Sequence, residues 1–261
     1  MFNIIMRVIK NNIKGLVMWT LALSLTIFFM AFLFDSMGTE MSQSLELMPE
    51  SMLKAFGMNS IAIGSLEATY SEGYIIVILM GSMYIAYLGA STLVREEDEG
   101  SIEYLMCKPY NRFEIFFSKF IALIIITLIM NMFIAAATIL GALIFGEDNY
   151  STKAIYLMAF APCILHLTFG SLCFGIASFI KKNRQAVSLS IGIVCAFYMI
   201  SIIRGLSDKL DFLKRISLFD YVSTNVVAGD KYIEPINLII MFAIMIVSVI
   251  VGCIYYNKKD F

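Results

Sequence analysis

Six long apolar runs constrain this chain of 261 residues more than any other feature of its sequence. Each run holds between 18 and 26 residues. A helix needs about 20 apolar residues to cross the hydrocarbon core of a bilayer. With 60% apolar and 15% charged residues, a soluble domain would also expose too much apolar surface. We therefore predict an all-α integral membrane protein whose six transmembrane helices cover residues 16–34, 74–94, 121–145, 155–180, 186–203 and 236–256.

The segments between these runs are too short to fold as soluble domains, so we expect one transmembrane domain over residues 1–261. The first run is too long for a removable secretory signal and is expected to remain as a helix. The five cysteines show no CxxC spacing and the chain has one histidine, so we expect neither a disulfide framework nor a metal centre. A net charge of -1 gives no indication of nucleic-acid binding.

The distribution of basic residues predicts how the chain crosses the membrane, because Lys and Arg are retained on the cytoplasmic side. With the N terminus inside, the cytoplasmic segments hold 12 basic residues and the outer segments hold 7. The last outer segment, residues 204–234, weakens this bias because it holds five of those seven. We expect both termini to face the cytoplasm.

Three peripheral segments have helical patterns. Residues 1–15 are predicted to form a basic amphipathic helix on the inner leaflet, or else a plain positively charged anchor. Residues 37–73 are predicted to include a short helix that covers the outer face. In residues 204–234 an amphipathic helix would lie in the outer interface or pack, solvated, on the bundle. Its apolar positions are Leu206, Leu210, Leu213, Ile216 and Leu218.

The loop between the second and third runs has the pattern of a short helix. Gly100 breaks the incoming helix, Ser101 is a good N-cap, and Glu103 lies where the helix dipole favours an anion. Pro109 then ends the segment after about two turns. The residues that share its apolar face are Ile102, Leu105 and Met106.

Two interpretations of this short helix follow from its pattern. It would present a small apolar surface to a partner below the membrane. Alternatively, it would float among the lipid headgroups, with Lys108, Arg112 and Lys119 attracted to anionic lipid.

A family resemblance favours the first interpretation. The loop resembles the Glu-x-Gly-Thr-Leu-Glu-x-Leu-Leu-x-x-Pro-x-x-Arg pattern of ATP-binding-cassette (ABC) exporter permeases of the type-2 class. Ser101 and Ile102 stand where Thr and Leu are commoner in that pattern. The matching residues are Glu99-Gly100-Ser101-Ile102-Glu103-Tyr104-Leu105-Met106, followed by Pro109 and Arg112.

The resemblance extends over essentially the whole chain. Residues 215–221 are similar to a Leu-Ser-Pro-Phe stretch that often precedes the last span in this class, with Leu218 in place of the proline. Residues 255–261 resemble the aromatic and then Arg/Lys-Asp-Leu ending of these permeases. Permeases of bacterial exporters for phenol-soluble modulins and other antimicrobial peptides share this short layout.

The resemblance implies a permease subunit in the cytoplasmic membrane of a bacterium. Such a subunit exports a hydrophobic or amphipathic substrate, such as a peptide, toxin or drug, by alternating access. It pairs with a second copy or a paralogue, and a separate ABC ATPase subunit binds ATP and Mg. This chain has no Gly-x-x-x-x-Gly-Lys-Ser/Thr phosphate loop, so we expect it to bind no cofactor and to have no catalytic residues. The implied ATPase-coupling interface consists of Glu99, Ser101, Ile102, Glu103, Leu105, Met106, Lys108 and Arg112.

Asn131 and His166 are polar residues inside apolar runs, where they serve either the transport pathway or packing between helices. For His166 we favour a neutral ring bonded to the carbonyl that Pro162 leaves free. Two other functions compete with the permease. An integral-membrane enzyme would need clustered His, Asp or Glu, and an ion-coupled carrier would need charge inside the spans. The sequence supports neither pattern well.

Overall fold

The computed structural model describes residues 1–46, 65–100, 110–146, 150–206 and 215–259. Within these ranges, six helices are long and apolar enough to cross a membrane, which confirms the predicted all-α, six-helix class. A 3-10 turn, Asp220–Val222, and a π-helix, Asn225–Asp230, lie between the last two helices. The helices are α1 Phe2–Glu46, α2 Leu66–Asp98, α3 Arg112–Phe145, α4 Thr152–Ala177, α5 Asn183–Gly205 and α6 Pro235–Lys258.

The first helix is much longer than its apolar run. It has 45 residues, which corresponds to about 68 Å against a hydrocarbon core of about 30 Å. Residues 2–15 are helical, as one of the two interpretations predicted, but they form the first part of α1 and not a helix ahead of it. The buried face formed by Ile4, Val8, Leu16 and Leu23 continues along this one helix.

The second helix also starts earlier than predicted. Ser65 is its N-cap, and the Ser65 hydroxyl accepts a hydrogen bond from the Ala68 amide at 3.3 Å. Because α1 reaches Glu46 and α2 begins at Leu66, both helices enter the segment 37–73, where we expected a short separate helix. Residues 47–64 lie outside the described ranges.

Two helices form the centre of the bundle. α2 and α4 pack against each other and are buried along most of their length. α3 lies against α1 and α4, α6 lies against α4, and α5 packs on α2. Glycines permit close approaches between helices: a Cβ added at Gly89 would lie 2.6 Å from the Gly170 carbonyl oxygen, and one at Gly252 would lie 2.8 Å from the Gly175 Cα.

The described part of the segment between α5 and α6 packs on the bundle. Leu206 and Ile216 are exposed, but Leu218 is 1% exposed. The buried stretch that follows is folded as the 3-10 turn and the π-helix, which contact α2 and α4. The amphipathic helix predicted here is therefore wrong from residue 215 onward, and residues 207–214 lie outside the described ranges. Hydrophobic periodicity does not reveal a segment whose apolar residues face several helices at once.

Candidate functional site

One end of the bundle carries a buried ion pair between α2 and α3. The Lys119 ammonium lies 2.7 Å from Glu96 Oε2, and it also donates to the Leu93 carbonyl at 3.4 Å. The Lys119 side chain is only 1% exposed, so the Glu96 carboxylate compensates a charge that water does not reach. Arg7 of α1 lies 3.7 Å from the other carboxylate oxygen of Glu96. We call this end of the bundle the charged end.

A second ion pair brings the end of α6 to the same place. Lys259, directly after α6, lies 2.7 Å from Glu97 Oε2 and donates to the Ile180 carbonyl at 2.9 Å. Both side chains of the pair are largely buried, at 5% and 11% exposure. This contact joins the end of α2, the turn between α4 and α5, and the end of α6.

Arg112, the first residue of α3, binds the backbone at the end of α6. Its guanidinium donates to the Lys259 carbonyl at 2.6 Å and to the Asn257 carbonyl at 3.2 Å. The last carbonyls of a helix have no partner within the helix and carry the negative end of its dipole, so a guanidinium stabilises them. The family resemblance placed Arg112 in the ATPase-coupling interface, but no sequence pattern indicated this intramolecular contact.

These contacts anchor the two helix ends that flank the segment 101–109. Its incoming side, the end of α2, is tied by Glu96 and Glu97, and its outgoing side, the start of α3, is tied by Arg112. Gly100 has φ +68, a left-handed conformation that ends α2, as its sequence position predicted.

The predicted coupling residues are only partly within the described ranges. Glu99 pairs with Arg95 one helical turn earlier at 2.8 Å, and both side chains are more than half exposed. An exposed pair of this kind contributes little to stability. The other predicted coupling residues, which lie outside the described ranges, are Ser101, Ile102, Glu103, Leu105, Met106 and Lys108.

The buried ion pairs of the charged end were not predicted from the sequence. Lys119 and Lys259 were expected only to be positively charged residues of the cytoplasmic side, with Lys119 also attracted to lipid. The available signal was that Glu96, Glu97, Lys119 and Lys259 all lie within three residues of the ends of apolar runs on one predicted side. Opposite charges at such positions are candidates for pairs between helices.

A polar cluster lies inside the bundle, at His166 of α4. His166 is completely buried, with Nδ1 3.0 Å from Asn131 Oδ1 and Nε2 3.3 Å from the Val77 carbonyl oxygen. Asn131 Nδ2 donates to the Thr127 carbonyl at 2.8 Å, which turns its Oδ1 toward the imidazole. The cluster therefore joins α2, α3 and α4.

The contacts of His166 differ from those that we favoured from the sequence. We expected the carbonyl freed by Pro162, on the same helix, but the ring bonds groups of two neighbouring helices. Gly81 provides the space, because a Cβ at this position would lie 2.5 Å from both Cε1 and Nε2 of the ring. Helix packing, which no local pattern reveals, thus selects the partner.

The opposite end of the bundle has a buried carboxylate of its own. Asp220 is 1% exposed, and its Oδ1 accepts from the Ser201 hydroxyl at 2.7 Å and from Arg204 at 3.1 Å. Tyr74 of α2 donates to the Val222 carbonyl at 2.7 Å. These bonds fix the 3-10 turn to α5 and α2.

Comparisons with known proteins agree with this architecture. No curated protein matches the chain. Among protein families, the ABC-2 family transporter proteins match residues 2–261, which confirms the family resemblance stated above. Permeases of this family normally work with an ABC ATPase subunit. A match over nearly the whole length, together with six apolar helices, shows that this multi-pass membrane chain belongs to the ABC-2 family of transporter proteins.

Proposed function

We propose that this chain is the membrane subunit of an ATP-driven exporter in the cytoplasmic membrane of a bacterium. ATP and Mg bind to a separate ABC ATPase subunit, and a second permease copy or a paralogue completes the transport unit. The charged end faces the cytoplasm, in line with the bias of basic residues. The cargo is hydrophobic or amphipathic, and an amphipathic peptide is our first choice because short permeases of this layout export such peptides.

The anchoring of the segment 101–109 is the observation that carries this proposal. Glu96, Glu97 and Arg112 tie its two ends to three helices. An ATPase that pushes or rotates this segment would move α2, α3 and the end of α6 together. Alternating access requires this kind of coupled displacement, since the two sides of the membrane must open in turn.

The contact with the ATPase is apolar at its centre and polar around it. Ile102, Leu105 and Met106 insert into a groove of the ATPase subunit. Glu99, Glu103 and Lys108 surround this contact, with Ser101 as the N-cap of the coupling helix. Arg112 contributes by holding the end of α6 at the start of α3.

Affinity purification of the tagged full-length chain from native membranes tests the ATPase contact. We expect a phosphate-loop ATPase, identified by mass spectrometry, to copurify with the wild type and to be lost with Leu105→Glu or Met106→Glu. A central apolar contact that receives a charge loses most of its affinity. The matched control is Leu206→Glu, at an exposed leucine directly after α5. Normal recovery of the ATPase with both loop variants would contradict the proposed contact.

The energy source separates the proposal from its alternatives. Inside-out vesicles that contain the purified complex should take up a fluorescent amphipathic helical peptide only with Mg-ATP. Uptake driven by a proton or sodium gradient in the absence of ATP would indicate an ion-coupled carrier. Chemical turnover of the peptide by the chain without any ATPase would indicate a membrane enzyme.

A further inference from the structure

Two neighbouring lysines at the end of α6 have opposite environments. Lys258 is exposed, as expected for a basic residue near lipid headgroups, whereas Lys259 is 7% exposed. The Lys259 ammonium lies between Glu97 Oε2 and the Ile180 carbonyl oxygen, at 2.7 and 2.9 Å. A lysine that only anchored the helix in the membrane would have no need for this desolvated position.

The backbone at the same place is held independently. Arg112 donates to the carbonyl oxygens of Asn257 and Lys259. Tyr256 is 1% exposed, and its ring centroid lies 5.6 Å from that of Phe116 in α3. The end of α6 is thus fixed by side-chain, backbone and ring contacts to α2, α3 and the turn between α4 and α5.

We infer that Lys259 is a positioning residue for energy coupling, which carries a displacement of the end of α2 to α6 and to the turn between α4 and α5. This inference rests on the proposed function. Without the Lys259 ammonium, the ATPase would still bind the segment 101–109 and hydrolyse ATP, but α6 would no longer follow α2. Hydrolysis would then be separated from transport.

Lys259→Met tests this inference, with Lys258→Met as the matched control, because both changes keep an unbranched stem and remove one charge. The complex is purified through the full-length chain and reconstituted into liposomes. The first measurement is the amount of fluorescent amphipathic peptide transported per ATP hydrolysed. We expect Lys259→Met to lower this ratio about tenfold while hydrolysis persists, since breaking a buried ion pair has a large effect. Lys258→Met should leave the ratio unchanged.

Hydrogen–deuterium exchange measures the physical link without relying on the ATPase. Lys259→Met should speed exchange both at residues 253–259 and at residues 95–100, and Lys258→Met should speed neither.

The double variant Glu97→Lys with Lys259→Glu should restore part of the transport ratio that each single change removes, because it rebuilds the pair with reversed charges. A purely structural role would change exchange without this change in coupling.

The outcomes are distinguishable. If the wild-type complex transports nothing with ATP, the proposed function fails, and the inference falls with it before any variant is measured. If the wild type transports and Lys259→Met has the same ratio as Lys258→Met, only the inference is overturned. Unchanged exchange at residues 95–100 in Lys259→Met would overturn it as well, because the end of α6 would then not be linked to α2.

Discussion

Lys119 lies about two turns inside α3, where its ammonium is shielded from water and faces Glu96. Lys119→Met would remove the ammonium that lies 2.7 Å from the largely buried Glu96 carboxylate, whereas the Arg7 guanidinium lies at 3.7 Å. We expect a loss of about 2 to 4 kcal/mol, somewhat less than for a completely buried pair. Thermal unfolding in detergent should show a lower Tm, whereas Lys10→Met at an exposed position should have little effect.

A second change separates this charge effect from lost packing. Glu96→Gln in the Lys119→Met background should recover part of the stability, because it removes the carboxylate charge that Lys119 compensated. A Tm equal to that of the wild type in Lys119→Met alone would contradict the pairing.

Gly81 is the residue that admits His166 between α2 and α4. Gly81→Ala should destabilise the bundle, because the new methyl group would overlap the imidazole, which is held by hydrogen bonds to Asn131 and to the Val77 carbonyl. Gly192→Ala is the matched control, since a Cβ there meets open space and alanine favours a helix over glycine by about 1 kcal/mol. If the ring is the obstacle, His166→Ala should relieve much of the effect of Gly81→Ala in unfolding measurements.

At the scale of helices, the contact between α4 and α6 depends on glycine. Gly252 lies against Gly175, and a Cβ at Gly175 would collide with the Ser248 carbonyl. Gly252→Val should separate the two helices and lower the Tm, because close packing is a main source of association between helices in lipid. The same substitution at exposed Gly192 controls for the lower helix propensity of valine. An equal Tm for the two variants would contradict the tight crossing.

The 3-10 turn depends on a hydrogen bond from α2. Tyr74→Phe removes the donor to the Val222 carbonyl and should cost about 1 kcal/mol. Hydrogen–deuterium exchange should increase around residues 217–228. Tyr87→Phe, at an exposed tyrosine of the same helix, should leave this exchange unchanged. Equal exchange in both variants would show that packing alone holds the turn.

For the whole molecule, the proposed orientation places the segment 101–109 in the cytoplasm. In a variant that keeps only Cys107, a membrane-impermeant maleimide should label this residue in inside-out vesicles and leave it unlabelled in sealed right-side-out vesicles. A cysteine introduced at Lys153, between the third and fourth apolar runs, should show the reverse pattern. Exchanged patterns would mean that the charged end faces outward.

α5 is the least covered helix of the bundle. Only Ala186, Ser190 and Val194 are buried among its described residues, whereas α2 and α4 are buried over most of their length. A single copy of this chain therefore buries one narrow face of α5, and the other faces of this helix are at least partly exposed.

The sequence by itself determined that six apolar helices cross a membrane and that α2 ends before Gly100. Both conclusions follow from local properties, namely the length of an apolar run and the conformation that glycine permits. The loop motif also indicated the family, because its residues are close together in the sequence and can be recognised without a structure. Hydropathy placed the start of α2 too late, since Glu67 and Ser71 are polar but buried by neighbouring helices.

Only the tertiary structure decided which polar groups meet. Lys119 pairs with Glu96, Lys259 pairs with Glu97, and the His166 ring lies within hydrogen-bond distance of Asn131, although the members of each pair are far apart in sequence. In each case the partner depends on how far each helix extends and on how it is rotated against its neighbours. Glycine contacts and the packing of aromatic rings determine both. The free energies of these contacts depend on pairs of residues that are distant in sequence, so a local sequence pattern does not reveal them.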